Sequence, residues 1–316
     1  MLIMILINLL QVAVVMLLSP LAVGILNRWK ERLGSKKGPS IFQTYRDIWK
    51  LFHKDQVISD QSSWVFRITP YVYFAAPIFV TLLIPVLTSY PLFFAFMGDM
   101  LGGGFVLALG GFFFTLAAID AANPYGAMGA SRTRMVGFLG EPVFMVVFFT
   151  VCFVANSTIP YIVQEKWTHP IANFFSPAHI LVCTAFFMLI LAETGKIPVD
   201  NPSGHFELAM IDESKSLEFS GSGAALMKWG GCMKYFVLMC ILVNVLVAPW
   251  GLASETSARQ LALAIPLIFI KILFATAVVA VVEASLAKLR LFRITAFLGL
   301  AFVIAVSAVL TRMIAF

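Results

Sequence analysis

The chain is expected to be all-α: a polytopic membrane protein with eight transmembrane helices plus one amphipathic helix lying on the membrane surface. Three observations predict this. Hydrophobic residues make up 60% of the 316 positions and charged residues only 12%, a balance that a soluble domain of this size does not carry. The apolar residues fall in continuous runs near the ~20 residues that ~30 Å of hydrocarbon requires, without the ten-residue alternation of a membrane barrel. Closed hydrogen bonding inside each helix is what lets such runs cross lipid.

The eight runs lie at Leu2 to Ile25, Pro70 to Leu87, Leu101 to Ile119, Glu141 to Ala155, Ala178 to Ala192, Tyr235 to Trp250, Leu261 to Val282 and Ile294 to Leu310. The first is expected to be a retained span. It has no basic leader region, exceeds the usual apolar length of a secretory signal and lacks a small-residue cleavage site. All residues from 1 to 316 then form a single integral membrane domain. Counting Lys and Arg by alternate loops places eighteen on one side and only Lys166, Arg259 and Arg312 on the other, with Lys271 inside a span. By the positive-inside rule the long loops face the cytoplasm of a cell inner membrane and both termini face outward. The net charge of +6 follows from that topology and gives no reason to expect nucleic acid.

The first long loop contains GPSIFQTYRDIWKLFHKD. Ile41, Tyr45, Ile48 and Phe52 recur at helical spacing, while Arg46, Asp47, Lys50 and Lys54 take the other face. This predicts an amphipathic surface helix over 38–54, opened by Gly38 and Pro39. It serves either as an interfacial anchor or as a docking strip for a peripheral partner.

The stretch 194–234 is expected to be an acidic loop. Six carboxylates, Glu193, Asp200, Glu207, Asp212, Glu213 and Glu218, lie between Leu191 and Lys234 out of sixteen in the chain. Charge concentrated at a membrane boundary commonly serves ions, partners or substrate. Asp120 closes the third run, Glu141 opens the fourth and Glu193 closes the fifth, so several carboxylates share a similar depth. For Glu141 a helix-dipole contact is the plainer alternative. Lys271, near the middle of the seventh run, is expected to face an acidic partner, either as a structural ion pair or as a proton relay. Glu283 lies about 18 Å further along the same helix and would end the same polar track.

No chemistry of the chain's own is expected. The sequence has no Walker motif, dinucleotide fingerprint or nucleophile elbow. The cysteines (152, 183, 232, 240) form no C-x-x-C pair, and the histidines (53, 169, 179, 205) are dispersed, so local spacing assembles no metal site.

Over nearly its whole length the chain resembles the membrane subunit shared by respiratory complex I and the energy-converting hydrogenases. The resemblance rests on Lys37-Gly38-Pro39 followed by Gln43, Asp47, Lys50, Leu51 and Lys54, on DAANPYGAMGASRTRMVGFLGEP with Arg132 and Glu141, and on AETGKIPVD and LEFSG with Glu193, Lys196, Pro198, Asp200, Glu218, Ser220 and Gly221. QTYRDIWKLF, GSGAALMKWG and Lys271 with VVEASLAKLRL look most like the formate hydrogenlyase and group-four nickel-iron hydrogenase branch. Where the complex I branch carries several glutamates, this chain has Pro202, Ser203, Gly204, His205, Phe206, Glu207 and Leu208, so only Glu207 remains.

The resemblance implies a membrane-anchoring, non-redox subunit without catalysis alone and without a cofactor of its own. A nickel-iron centre and iron-sulfur clusters would sit in partner subunits: a nickel-iron hydrogenase large subunit and an iron-sulfur small subunit. Lys37, Arg46, Asp47, Lys50, Arg132, Arg134 and Lys196 would dock that module. Asp120, Glu141, Glu193, Asp200, Glu207, Glu218, Lys271 and Glu283 would form an H⁺ or Na⁺ path towards antiporter-like membrane subunits. The alternative is the quinone-site membrane subunit of a complex I type NADH dehydrogenase.

Overall fold

The computed structural model describes residues 2–92, 99–168, 176–200 and 211–314. Among them the elements are α1 (Leu2–Leu33), α2 (Gln43–Phe52), α3 (Trp64–Leu83), α4 (Met100–Asp120), α5 (Pro124–Ala155), α6 (Pro160–Thr168), α7 (Pro177–Glu193), a 3₁₀ turn (Glu213–Ser216), α8 (Gly221–Cys240) running directly into a π-helical turn (Ile241–Val247), α9 (Ala258–Ser285) and α10 (Leu291–Ile314). The described residues contain no strand, only one isolated bridge between Thr88 and Ala253. The protein is an all-α, multi-pass membrane protein. Among the described residues seven helices are long and apolar enough to cross a bilayer; the eighth expected span, α7, is apolar but has 17 residues, a rise of about 25 Å.

The helices outrun the apolar stretches that mark them. Hydropathy locates the part of a helix embedded in hydrocarbon, whereas backbone hydrogen bonding continues into the polar region as long as caps and good helix formers support it. Thus α1 continues past Ile25 through Arg28, Lys30 and Arg32, and α8 begins at Gly221, well inside the 194–234 stretch. The start of α5 is also set locally. Asn123 caps it by accepting from the Tyr125 N–H at 2.9 Å, with Pro124 at the first helical position, where its missing N–H costs nothing. Ser63 caps α3 in the same way, accepting from the Val65 N–H at 3.2 Å.

At the centre stands α8 with its π turn. It packs against α1, α2, α3, α7 and α9, and 83% of its most apolar stretch is buried against 50% or less in the six other spans. Met233, Tyr235 and Phe236 of α8 are fully buried. Beside this pillar, α5, α7 and α10 pack together around Phe144, Phe148 and Phe186, with Phe144 and Phe148 centroids 4.3 Å apart. α4 bridges the two groups by packing on α3 and α5.

Alternation along the chain puts the α1–α3, α4–α5, α7–α8 and α9–α10 connections at one end, the charged end. At the other end, irregular backbone is satisfied by buried amides. Gln11 donates to the carbonyls of Thr81 (2.5 Å) and Ile84 (3.1 Å), and Asn244 to those of Pro85 (2.9 Å) and Val86 (3.1 Å). Lys271 donates to Ala248 O at 2.8 Å, to Asn244 Oδ1 at 3.3 Å and to the Trp250 carbonyl. The acidic partner expected for Lys271 is therefore replaced, among the described residues, by neutral oxygens at the C-terminal end of the π turn, where a cation also meets the negative helix end.

Two glycines fix the charged end. Gly221 opens α8 at φ +52°, and a Cβ there would sit 2.8 Å from the carbonyl oxygens of Lys54 and Asp55. Ser220 reinforces the seam, its hydroxyl exchanging hydrogen bonds with both backbone groups of Val57 at 2.8 Å. Gly195 has φ +59°, and its missing side chain leaves room for the Asp212 carboxylate. Replacing Gly221 with Ala should destabilise the protein by about 1–3 kcal/mol from the left-handed conformation alone. Gly111→Ala, a helical position with open space around it, should be neutral or stabilising. Thermal unfolding of both variants in one detergent checks this, and equal midpoints would contradict it.

Candidate functional site

The loop that follows α7 is clamped on both sides. Asp200, buried, accepts from the Ile211 and Asp212 N–H groups at 2.8 and 3.0 Å and from the Lys288 ammonium at 2.8 Å. Glu283, at the end of α9 and also buried, accepts from the Ile197 N–H at 3.3 Å and pairs with Lys30 of α1 at 3.7 Å. Two buried carboxylates thereby fold the loop inward, and Lys196 lies 5.5 Å from the centroid of the Tyr235 ring. The 3₁₀ turn completes the arrangement. Lys215, buried, pairs with Asp212 at 2.7 Å and stands 4.4 Å over the Phe114 ring, a cation held by a carboxylate and an aromatic face together.

This framework encloses a chamber of about 520 Å³ bounded by α1, α2, the inward loop, the 3₁₀ turn and α8. Its charged lining comprises Asp47, Glu193, Lys196, Asp212, Glu213, Lys228 and Lys234. Asp47 of α2 pairs with Lys228 of α8 at 2.8 Å, tying the surface helix to the pillar. Burial pushes the Asp47 carboxyl up, but Lys228, Gln43 and Lys50 outweigh it and hold the group below its usual range. Asp212 is likewise raised by burial and brought below its usual range by Lys215, Lys234 and Lys196. Its neighbour Glu213 goes the other way: burial, helped by Asp200 and Asp212, lifts it above the usual range against the pull of Lys228 and Lys196. The two adjacent carboxyls are thus pushed in opposite directions from their usual ranges.

A second cavity, about 340 Å³, lies between α4, α5 and α8 and is mostly apolar, with Leu101, Phe105, Leu109, Phe112 and Phe144 in its wall. Its polar end holds Arg134 and Glu141, 3.9 Å apart, and the Arg134 guanidinium stands 4.7 Å over Phe112. Two residues line both cavities, Glu193 and Lys234. Their carboxylate and ammonium are 2.7 Å apart, so the partition between chamber and groove includes a single ion pair between the last residue of α7 and the interior of α8. Separating it would leave two charges without their partner in a low-dielectric setting, which is costly.

The structure divides the expected polar track into three places. Glu141 and Glu193 meet at the groove, Asp200 and Glu283 hold the loop, and Lys271 stands apart near the other end of the molecule. Asp120 accepts from the Ser63 N–H at 2.8 Å, and Glu218 accepts from the Asn123 amide on the outer rim. Glu207 and its neighbours from 201 to 210, with His205, lie outside the described residues, as does His169. Of the residues expected to dock a partner, Lys37, Arg46 and Lys50 are exposed and Arg132 is half-buried, whereas Arg134 turns into the groove and Asp47 and Lys196 into the chamber. Among the described residues no three His, Cys, Asp or Glu side chains come together as a metal would need.

Sequence reasoning missed Lys228, Lys234, Asp212 and Lys215 as site residues. Lys228 and Lys234 were counted as loop charges because the apolar run starts at Tyr235. The available signal was weak: Ser220 is followed by Gly221, Ser222 and Gly223 before Ala224, Ala225, Leu226, Met227 and Lys228 bring good helix formers, and only the folded helix turns both lysines inward.

A family model described as NADH dehydrogenase matches residues 1–315. Formate hydrogenlyase subunit 4 of Escherichia coli (strain K12) is 35% identical over 285 residues, covering 90% of this chain and 90% of that protein. Hydrogenase-4 component C of the same organism is 32% identical over 285 residues, covering 89% of this chain and 87% of that protein. The fold matches a chain in the structure of the membrane-bound sulfane sulfur reductase, an archaeal respiratory membrane complex, with a TM-score of 0.82 at 17% identity over 97% of this chain and 98% of that one.

The lowered Asp212 pKa carries a sign. A carboxylate whose folded value lies below its unfolded value, about 3.9, stabilises the fold above that pH and loses its contribution as pH falls through the folded value. Asp212→Asn should therefore unfold a few degrees lower than the parent near pH 7, and the gap should close as pH drops below about 4. A gap that persists unchanged at low pH would contradict the assignment.

Proposed function

This chain belongs to the NADH dehydrogenase family, and we propose that within it the protein is the membrane-anchoring, non-redox subunit of an energy-converting hydrogenase complex of the formate hydrogenlyase type. The observation that carries this reading is the 35% identity that runs across 90% of both chains to formate hydrogenlyase subunit 4. In this reading the charged end faces the cytoplasm and holds a nickel-iron large subunit and an iron-sulfur small subunit on the loop after α1, the start of α5 and the loop after α7. Electrons stay in those partners. Antiporter-like membrane subunits lie beside this one in the bilayer.

The chain's own residues contribute a charge relay. A change of charge or position at the docked module acts first on the loop held by Asp200 and Glu283, and through it on the α7 end that carries Glu193. Glu193 and Lys234 divide the chamber from the groove, so moving either one shifts a proton or a positive charge towards Glu141 and Arg134. This uses Coulomb forces between partly buried groups, which fall off slowly where water is scarce. The coupling ion is H⁺ or Na⁺.

A second reading, the quinone-site subunit of a complex I type enzyme, draws on the chamber itself, whose volume lies within the ordinary range for small-molecule sites.

Purifying the native complex through a tag on this chain and measuring nickel separates the two. Near-stoichiometric nickel is expected; an intact complex without nickel whose turnover depends on quinone would establish the second reading. Glu193→Gln should assemble normally yet lose on the order of tenfold or more of its coupled ion translocation, measured in vesicles. Unchanged coupling would remove Glu193 from the relay.

A further inference from the structure

The surface helix α2 buries Thr44 and Ile48 against its own protein and leaves the rest of its surface in two strips. Phe42, Tyr45, Trp49 and Phe52, spaced i, i+3, i+7 and i+10, share one side. Phe42, Trp49 and Phe52 are 58%, 70% and 39% exposed, a cost that water would impose on aromatic rings without return. Arg46 and Lys50, both exposed, border this aromatic strip.

The strip points towards the bilayer interior. The backbone before α2 lies against α1 at Gly24, where a Cβ would meet Ile41 O at 2.0 Å. From that level the Tyr45 hydroxyl donates to the carbonyl of Leu17, seven residues and about 10 Å further into the spanning part of α1. Leu17 is itself 62% exposed, so the aromatic strip runs on into an apolar, outward-facing surface of a membrane span. The charge beside it is mostly positive. Residues 36–54 hold Lys36, Lys37, Arg46, Lys50 and Lys54 against Asp47 alone, and Asp47 is taken up by Lys228 at 2.8 Å and by Gln43 at 2.8 Å. Lys50 reaches Asp47 only through longer-range charge interaction, and among the described residues Arg46 has no carboxylate at ion-pair distance.

We propose that α2 is a binding seat for an anionic phospholipid, with the lipid phosphate between Arg46 and Lys50 and its acyl chains against Phe42, Tyr45, Trp49 and the Leu17 surface of α1. Aromatic rings at headgroup depth with basic residues at the water side are the pattern of an interfacial helix. The uncompensated positive charge favours an anionic over a zwitterionic lipid. The helical pattern leaves an interfacial anchor and a docking strip both open, and the family resemblance puts Arg46 and Lys50 on a docking surface; their position beside a strip that faces hydrocarbon assigns them to lipid.

The test reconstitutes the intact complex into vesicles containing brominated phosphatidylglycerol or, at the same mole fraction, brominated phosphatidylcholine. The fluorescence of Trp49 is isolated as the difference between the parent and Trp49→Phe. Stronger quenching by the anionic lipid is expected, with a preference of roughly fivefold for each basic side chain, and Arg46→Gln with Lys50→Gln should remove the preference while leaving quenching by phosphatidylcholine. Equal quenching by both lipids would overturn the proposal, as would no quenching by either, which would mean that a protein subunit covers α2.

Discussion

Hydrocarbon offers no hydrogen bond, so a polar group carried into this bundle must find its partner inside the protein. That constraint orders the molecule from end to end. At one end Gln11 and Asn244 feed their amides to carbonyls of the 81–86 segment, and Lys271 closes the π turn. At the other, Asp200 and Glu283 take the backbone N–H groups of a loop that would otherwise have to stay in water. Between these ends the apolar helices need no such help and pack by shape, with α8 as the common neighbour.

A polar group that must be paired is also a group whose pairing has consequences. Removing one partner of a buried ion pair costs far more than replacing both by well-packed apolar residues, so such pairs make poor glue and good sensors. Three of the ion pairs among the described residues join different helices: α7 to α8 through the partly buried Glu193 and Lys234, α1 to α9 through Lys30 and Glu283, and, more exposed, α2 to α8 through Asp47 and Lys228. Displacing any one element therefore redistributes charge at its neighbours. The chamber is lined by α1, α2, α8 and the end of α7 together, and that makes it responsive to whatever sits on the charged face.

Fold class, the existence of the surface helix and the position of most spans were legible in the amino-acid sequence, because hydropathy and helical spacing are local properties. What was hidden depends on contacts between distant segments. Glu193 stood out as a carboxylate at a span boundary, but its partner Lys234 is 41 residues away and reads as one more loop cation. Lys271 was legible as an anomaly and misleading as to its partner, since neutral carbonyls at a helix end leave no mark in a sequence. The family resemblance and its place between the third and fourth apolar runs put Arg134 among the docking residues; only the packing of α4 on α5 turns it towards Phe112. The glycines at 195 and 221 sat inside motifs, yet their reason, a left-handed backbone pressed against another segment, is a property of the folded chain.

The π turn at Ile241–Val247 has a consequence for how α8 is phased. A wider turn sets residues on faces that a continued α-helix would not give them, so Ile241–Val247 does not carry on the helical phase of α8. α8 is set so that Lys228 and Lys234 look into the chamber, while the π turn that ends it is set so that Asn244 reaches the 85–86 carbonyls and Leu246 O meets the His179 ring at 2.8 Å. A helix that kept the phase of α8 to its end would misdirect those last polar contacts. The turn thus separates the placing of the chamber residues from the placing of the amide that satisfies the far end of the pillar.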